Sequence, residues 1–282
     1  MCNIINRTIA YIIYFKFYLL SLIPISLLYQ LHIIISIVNH FFKYRITILN
    51  KNIKIAFPNK KNKETLELIK NIYHHLYVII IEVIKSISFN EKDIIKRVKL
   101  LNGNEINNMV KKDKSIILIA SHYANWEWLL LRVSLLKRGN VVAVYQPLSN
   151  KYLNSVLLKI RTKFNATLVP IDKWNHFILK NRHKSYIYFL VSDQNPNNYN
   201  KGTTISFFDK ATLFHNGPEK MHKLLDAQVL YTDMKKINNG YYELKLKKIN
   251  PDNITEDYVN LLEETITNRP EHWLWSHNRW KK

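Results

Sequence analysis

The chain has 282 residues, 47% of them hydrophobic and 22% charged, which excludes wholesale disorder and leaves enough apolar side chain for a sizeable core. A single cysteine, Cys2, excludes an intramolecular disulfide framework and a Cys-based zinc cluster, and 5 glycines with 8 prolines exclude collagen-like and Gly- or Pro-rich linker classes. Lys and Arg total 42 against 21 Asp and Glu, and a net charge of +21 requires an anionic partner: nucleic acid, lipid headgroups, a phosphorylated substrate or an acidic protein.

Between Lys16 and Lys43 no side chain is charged, and residues 17–38 read FYLLSLIPISLLYQLHIIISIV. A run of ~20 apolar residues matches a bilayer core, so a membrane-anchor helix is expected within residues 1–43, as a single span or a deep hairpin. Ser21, Pro24, Ser26, Gln30, His32 and Ser36 dilute the run, and a buried helix pair is the other reading. A secretory signal peptide fits poorly, because no small-x-small cleavage site follows an apolar stretch of ordinary length. Lys43, Arg45, Lys51 and Lys54 follow, which by the positive-inside rule puts the rest of the chain in the cytoplasm.

Residues 44–114 read as a basic connector and a helical lead-in. Residues 44–60 are connector up to Pro58, and 62–89 form a helix, with Leu66, Ile69, Ile72, Tyr73, Leu76, Ile79, Ile80 and Val83 at spacings of three and four. Residues 90–114 are polar, with Gly103 in a turn. From residue 115 the pattern changes to short continuous apolar runs alternating with helices. Strands are expected at 115–120, 141–145, 167–171, 186–191, 203–208, 227–234 and 241–247. Helices are expected at 125–138 (stopped by Gly139), 150–163, 173–182, 217–226 and 255–268, before a tryptophan-rich tail. This alternation predicts one layered α/β domain over residues 115–282, with a mixed, mostly parallel sheet flanked by helices and the lead-in packed on it.

The first buried strand is followed directly by Ser121-His122-Tyr123-Ala124-Asn125-Trp126-Glu127. Ligand sites of open α/β sheets lie at the carboxyl ends of strands. Asn125 is a candidate helix N-cap, and Glu127 then sits in the first helical turn, where the dipole favours a carboxylate. The turn can bring Glu127 back to His122, and an imidazole oriented by a carboxylate is suited to general-base work near neutrality. Ser121 has no Gly-x-Ser-x-Gly context, so the nucleophile is expected to be a substrate hydroxyl. The spacing alone also fits a loop histidine and a helix-start glutamate with no catalytic role.

SHYANWEW resembles the HxxxxD/E block of the glycerolipid acyltransferase superfamily, and its Asn-Trp-Glu form is similar to the late lipid A acyltransferases, the lauroyl and myristoyl transferases of Gram-negative bacteria. Arg161 in KIRTKFNATLVP, the Ser192-Asp193-Gln194-Asn195-Pro196 loop, the segment FFDKATLFHNGPEK and the ending PEHWLWSHNRWKK resemble further blocks of that family in the same order. Asn165 and Asp209 depart from it, each standing where a glycine is usual, and His215-Asn216 replace small or Thr residues; these bear on acceptor specificity more than on His122 and Glu127.

The resemblance implies a membrane-bound O-acyltransferase. It implies transfer of an acyl chain from the phosphopantetheine thiol of acyl carrier protein to a hydroxyl of a phosphorylated lipid A precursor, at the cytoplasmic face of the bacterial inner membrane. No cofactor or metal of the enzyme's own is implied. His122 is then the general base and Glu127 its partner. Arg161, Asn125, Asp193 and Gln194 are expected in substrate binding, Arg161 as a phosphate or carbonyl contact. A surface role for Arg161 and loop capping for Asp193 and Gln194 are the alternatives. A lysophospholipid acyltransferase, or a basic membrane-surface protein without activity, are the alternative functions. His74-His75 have no partners at metal-ligand spacing and read as a solvated or interfacial pair. Trp273, Trp275 and Trp280, beside Arg279, Lys281 and Lys282, read as an interfacial belt or as packing on the core. No nucleic-acid module is recognisable, so nucleic acid is not an expected partner.

Overall fold

The computed structural model describes residues 2–30, 44–110, 114–136, 140–196 and 202–281. The helices are α1 (Cys2–Leu22), α2 (Ile25–Gln30), α3 (Ile46–Ala56), α4 (Asn62–Lys85), α5 (Glu91–Arg97), α6 (Gly103–Val110), α7 (Trp126–Val133), α8 (Lys151–Arg161), α9 (Trp174–Asn181), α10 (Gly217–Leu225) and α11 (Ile254–Asn268). The strands are β1 (Val98–Leu100), β2 (Ile116–Ala120), β3 (Val141–Tyr145), β4 (Thr167–Pro170), β5 (Ile187–Val191), β6 (Gly202–Phe207), β7 (Lys210–His215), β8 (Gln228–Asn238) and β9 (Tyr241–Lys248). Seven strands form one sheet in the order β1-β9-β8-β2-β5-β3-β4, and only the β8–β9 pair is antiparallel. This is the mostly parallel mixed sheet that the alternation of elements predicts.

Every residue of β2 is buried, as its unbroken Ile-Ile-Leu-Ile-Ala run requires of a strand covered on both faces. β5 and β8 flank it, so β2 lies at the centre of the sheet. α10 packs on β2 and β8, and α11 packs on β8. The helix expected at 125–138 is α7, which ends at Val133; its expected stop at Gly139 lies outside the described residues.

Three segments carry more structure than their sequences suggest. The connector 44–60 contains α3, whose Leu49, Ile53 and Ala56 form a buried stripe that Lys51 and Lys54 interrupt in the sequence. The polar stretch 90–114 holds α5, β1 and α6. Asn90 opens α5 with a capping box: its Oδ1 accepts from Asp93 N at 3.1 Å and its N–H donates to Asp93 Oδ2 at 2.8 Å. β1 is the edge of the sheet, so the sheet begins before residue 115. The strand expected at 203–208 is half of a hairpin, β6–β7. Its turn residues Phe208 and Asp209 both have positive φ, 51° and 55°, as a tight hairpin turn of this hand demands. Asn165 has φ 65°. Asn and Asp tolerate the left-handed region better than most non-glycine residues, which accounts for Asn165 and Asp209 at glycine-like positions.

The expected anchor needs the largest correction. Proline lacks an N–H and restricts the residue before it, and Pro24 splits the apolar run: α1 stops at Leu22 and α2 begins at Ile25. No helix among the described residues is long and apolar enough to cross a membrane. Residues 31–38 of the expected span lie outside the described residues. Lys85 Nζ donates to the carbonyls of Ser21 (2.5 Å) and Ile23 (2.9 Å), and Ser88 Oγ donates to Ser21 O at 2.7 Å, so the end of α1 is satisfied by the end of α4. The inner face of α1, with Ile13, Tyr14 and Phe17, packs against the core. Tyr11, Phe15, Leu19 and Leu22 lie on the other face at helical spacing and are 48–61% exposed.

The burial gradient yields a stability prediction. Leu118, at the middle of β2, is fully buried, so Leu118→Ala should cost about 2–5 kcal/mol. Leu66 on α4 is 65% exposed, and Leu66→Ala should change stability by no more than about 0.5 kcal/mol. Denaturant unfolding of the two variants checks this; similar losses would contradict the assigned positions.

Candidate active site

The centre of the sheet brings the candidate residues together. β2 and β5 are parallel neighbours with Ala120 opposite Val191. Two residues beyond each strand end therefore arrive at the same height, and these are His122 and Asp193. The pairing continues past the strands through Ser192 N–H to Ala120 O at 3.0 Å. Asp193 is buried. Its Oδ2 accepts the backbone N–H of His122 at 3.0 Å and the indole N–H of Trp273 at 2.8 Å. Its Oδ1 lies 2.7 Å from His122 Nδ1. Burial alone would raise the Asp193 carboxyl. The His122 charge and the hydrogen bonds from His122 and Trp273 outweigh it and hold Asp193 below its ordinary value. An ionised Asp193 can only accept, so a neutral His122 carries its proton on Nδ1 and leaves Nε2 bare.

The carboxylate that touches the imidazole is thus Asp193, where spacing suggested Glu127. Glu127 is claimed by Arg161, the last residue of α8. Arg161 Nε donates to Glu127 Oε2 at 2.8 Å and Nη2 donates to Oε1 at 2.6 Å, a two-pronged grip, and Trp126 Nε1 adds a third donor at 3.2 Å. Burial would raise Glu127. The Arg161 charge and hydrogen bonds, with the neighbouring His122, overcome it and lower the carboxyl below its usual range. The edge of Arg161 expected to meet a phosphate is therefore engaged inside the protein. Asn125, also expected to bind substrate, is fully buried. Its Oδ1 caps α7 by accepting from Trp128 N at 2.9 Å, as its place before the helix predicts, and its Nδ2 donates to Glu82 Oε2 at 2.6 Å.

His122, with its side chain 21% exposed, opens on a cavity of about 480 Å³. The wall carries Glu127, Arg161 and Gln194 beside apolar Leu130, Val144, Leu168 and Phe189. Gln194 Nε2 lies 3.4 and 3.5 Å from the two ring nitrogens of His122. A second cavity of about 560 Å³, lined by Arg45, Tyr73, Tyr77 and Ile80 among others, also reaches Gln194. The two cavities share Gln194 in their walls, and the first alone is lined by His122.

The tail is structural. Trp273, Trp275 and Trp280 are buried and form no exposed aromatic belt. Trp273 bridges Tyr123, His272 O accepts the N–H of Ala124 at 2.9 Å, and Leu274 N–H donates to His122 O at 3.0 Å, so the tail pairs with the backbone of the His122 loop. Buried Arg279 donates to Asn195 Oδ1 and, at 2.6 Å, to Leu213 O. His75, read as half of a solvated pair, is buried with its ring 4.6 Å from that of His272. The sequence signal for these roles is present in the spacing of the tail aromatics, but the loop they clamp is about 150 residues away along the chain.

A family model described as bacterial lipid A biosynthesis acyltransferase matches residues 2–282. No curated protein matches the chain.

Acid should weaken this clamp. Burial lowers His272 to about 3, with Lys236 and Arg269 adding to the effect, and burial lowers His75 well below its ordinary value. Folded molecules refuse protons that unfolded chains take below ~6.5, so this contribution is complete above that pH and is lost as pH falls toward the folded values. Each such histidine steepens the fall by up to ~1.4 kcal/mol per pH unit. Denaturant unfolding between pH 7.5 and 5 should show stability dropping with acid, and His272→Gln should flatten the slope by close to one proton. An unchanged slope would contradict the burial of a neutral His272.

Proposed function

The chain belongs to the bacterial lipid A biosynthesis acyltransferase family and is an acyltransferase acting on a lipid A precursor; from its geometry we propose that His122 is the general base of the transfer and Asp193 the carboxylate that orients it. The observation that carries this reading is the 2.7 Å contact between His122 Nδ1 and buried Asp193 at the edge of a cavity. With Nδ1 tied to Asp193, Nε2 takes the proton of the acceptor hydroxyl. The hydroxyl oxygen attacks the thioester carbonyl of the donor, an acyl group on the phosphopantetheine thiol of acyl carrier protein. A tetrahedral oxyanion forms, the carbon–sulfur bond breaks, and the imidazolium returns its proton to the leaving thiolate. Asp193 stabilises the imidazolium without itself taking the proton.

Glu127 and Arg161 act as a unit in this scheme. The buried pair fixes the start of α7 against the end of α8, and Glu127 adds negative potential beside the imidazole. The Gln194 amide and the uncommitted N–H groups of Arg161 are the donors on the cavity wall best suited to meet the oxyanion.

Membrane attachment takes an interfacial form in this reading. The stripe Tyr11, Phe15, Leu19 and Leu22 on α1, continued by Leu27 on α2, lies in the headgroup–acyl boundary of the inner membrane, and the basic surface meets anionic lipid and the acidic carrier protein. Residues 44–114 and 115–282 then act as one catalytic unit on the cytoplasmic face.

The test is transfer of labelled acyl groups from acyl carrier protein to a tetra-acylated lipid A precursor in detergent. His122→Ala should lower turnover ~10²–10⁴-fold while the protein stays folded. Arg161→Lys should retain less than a tenth of wild-type turnover, because an ammonium cannot reproduce the two-pronged grip on Glu127. Arg161→Ala should also lose stability, on the order of 3–5 kcal/mol, since it leaves a buried carboxylate unpaired. Normal transfer by folded His122→Ala would overturn the mechanism.

A further inference from the structure

Glu82 lies on α4, outside the cavity of His122, and is fully buried. No Lys, Arg or His forms an ion pair with it among the described residues. Its carboxylate is held by four neutral donors from three parts of the chain: α2, the residue before α7 and the β8–β9 hairpin. Oε1 accepts from the Tyr29 hydroxyl of α2 at 2.8 Å and from the Gly240 N–H of the β8–β9 turn at 2.8 Å. Oε2 accepts from Asn125 Nδ2 at 2.6 Å and from the Tyr242 hydroxyl of β9 at 2.6 Å. Its backbone carbonyl takes the indole N–H of Trp128 at 3.0 Å. Burial raises the carboxyl and the donors oppose that rise.

A carboxylate has about four acceptor sites, and all are used. A core that needed only filling would do as well with an apolar side chain, because buried charge is costly unless its partners are set. What Glu82 specifies is orientation. With Nδ2 of Asn125 drawn to Glu82, the amide oxygen must face Trp128 N, and that contact starts α7. The residue before Asn125, Ala124, has φ 52° and is two positions from His122; Glu127 is two positions beyond Asn125. The start of α7 therefore sets both the His122 loop and the carboxylate that Arg161 grips. Gly240 leaves room for this arrangement: a Cβ there would come within 2.8 Å of the Tyr29 hydroxyl.

We propose that Glu82 is a positioning residue of acyl transfer, acting through Asn125 to hold the His122 loop and the first turn of α7 in their reactive geometry. The proposal rests on the reading of His122 as the base. Glu82 does not touch substrate, so its loss acts on turnover more than on acceptor binding.

A donor–acceptor swap tests it in the full-length protein. In Glu82→Gln the amide oxygen stays with Gly240 N–H, which can only donate, and the new NH₂ faces the NH₂ of Asn125. In Asn125→Asp the cap on α7 is kept, because Asp caps as well as Asn, but two carboxylates meet. In the double variant the amide introduced on α4 donates to the carboxylate introduced before α7, and the Tyr242 hydroxyl turns to accept. Each single variant should lower kcat at least tenfold, with KM for the acceptor within about threefold of wild type, at a temperature well below its melting point. The double variant should recover kcat to within about threefold of wild type. Asn125→Ser, which caps α7 but cannot reach Glu82, is the milder variant should a single one fail to fold, and it should lower kcat with the same KM pattern. Folded single variants with wild-type kcat, or a double variant no better than the worse single, would overturn the proposal. A wild-type protein that transfers nothing would overturn it together with the reading beneath it, and the two failures are thereby told apart.

Discussion

The Asp193 carboxylate is the contact on which the site depends. Three donors from two regions converge on it: the His122 backbone N–H, the His122 ring and the Trp273 indole. The first two exist because β2 and β5 are adjacent and parallel with Ala120 opposite Val191. The third exists because the tail lies against the His122 loop with paired backbone groups. A loop leaving a buried strand must place its own N–H and C=O groups somewhere. Here the tail takes Ala124 N–H and His122 C=O, Asp193 takes His122 N–H, and the imidazole is left with one orientation.

Charge is balanced locally around that contact. Asp193 faces His122, and Glu127 faces Arg161, so each of these two buried carboxylates has its own cationic or protonatable partner. Breaking either pair would strand a charge in a medium where an isolated ion is costly. This is why Arg161 serves the protein's own carboxylate before any phosphate.

Local features of this arrangement could be read from the sequence. The apolar run before His122, the cap at Asn125 and the alternation of strands with helices each depend on neighbours within a few residues. Strand order does not. Nothing in the run of residues places β5 beside β2, so Asp193 could be flagged by resemblance but not matched to His122, and Glu127 took its place by proximity along the chain. α3 was hidden by the lysines that interrupt its buried stripe, and the β6–β7 hairpin by an aspartate where a turn glycine would have marked it. The apolar run at 17–38 suggested a single span or deep hairpin on composition alone, but Pro24 cannot supply the N–H that would continue α1, and the helix breaks there.

The central claim is that Asp193 fixes the proton of the neutral His122 ring on Nδ1, leaving Nε2 free to act as base. Nitrogen-15 NMR of histidine-labelled protein, at a pH where the ring is neutral and with His122 assigned by substitution, reads the tautomer without relying on catalysis. The account predicts a protonated Nδ1 and a bare Nε2 in the wild type, and loss of that preference in Asp193→Asn. A wild-type ring protonated on Nε2, or a tautomer indifferent to Asp193→Asn, would contradict it.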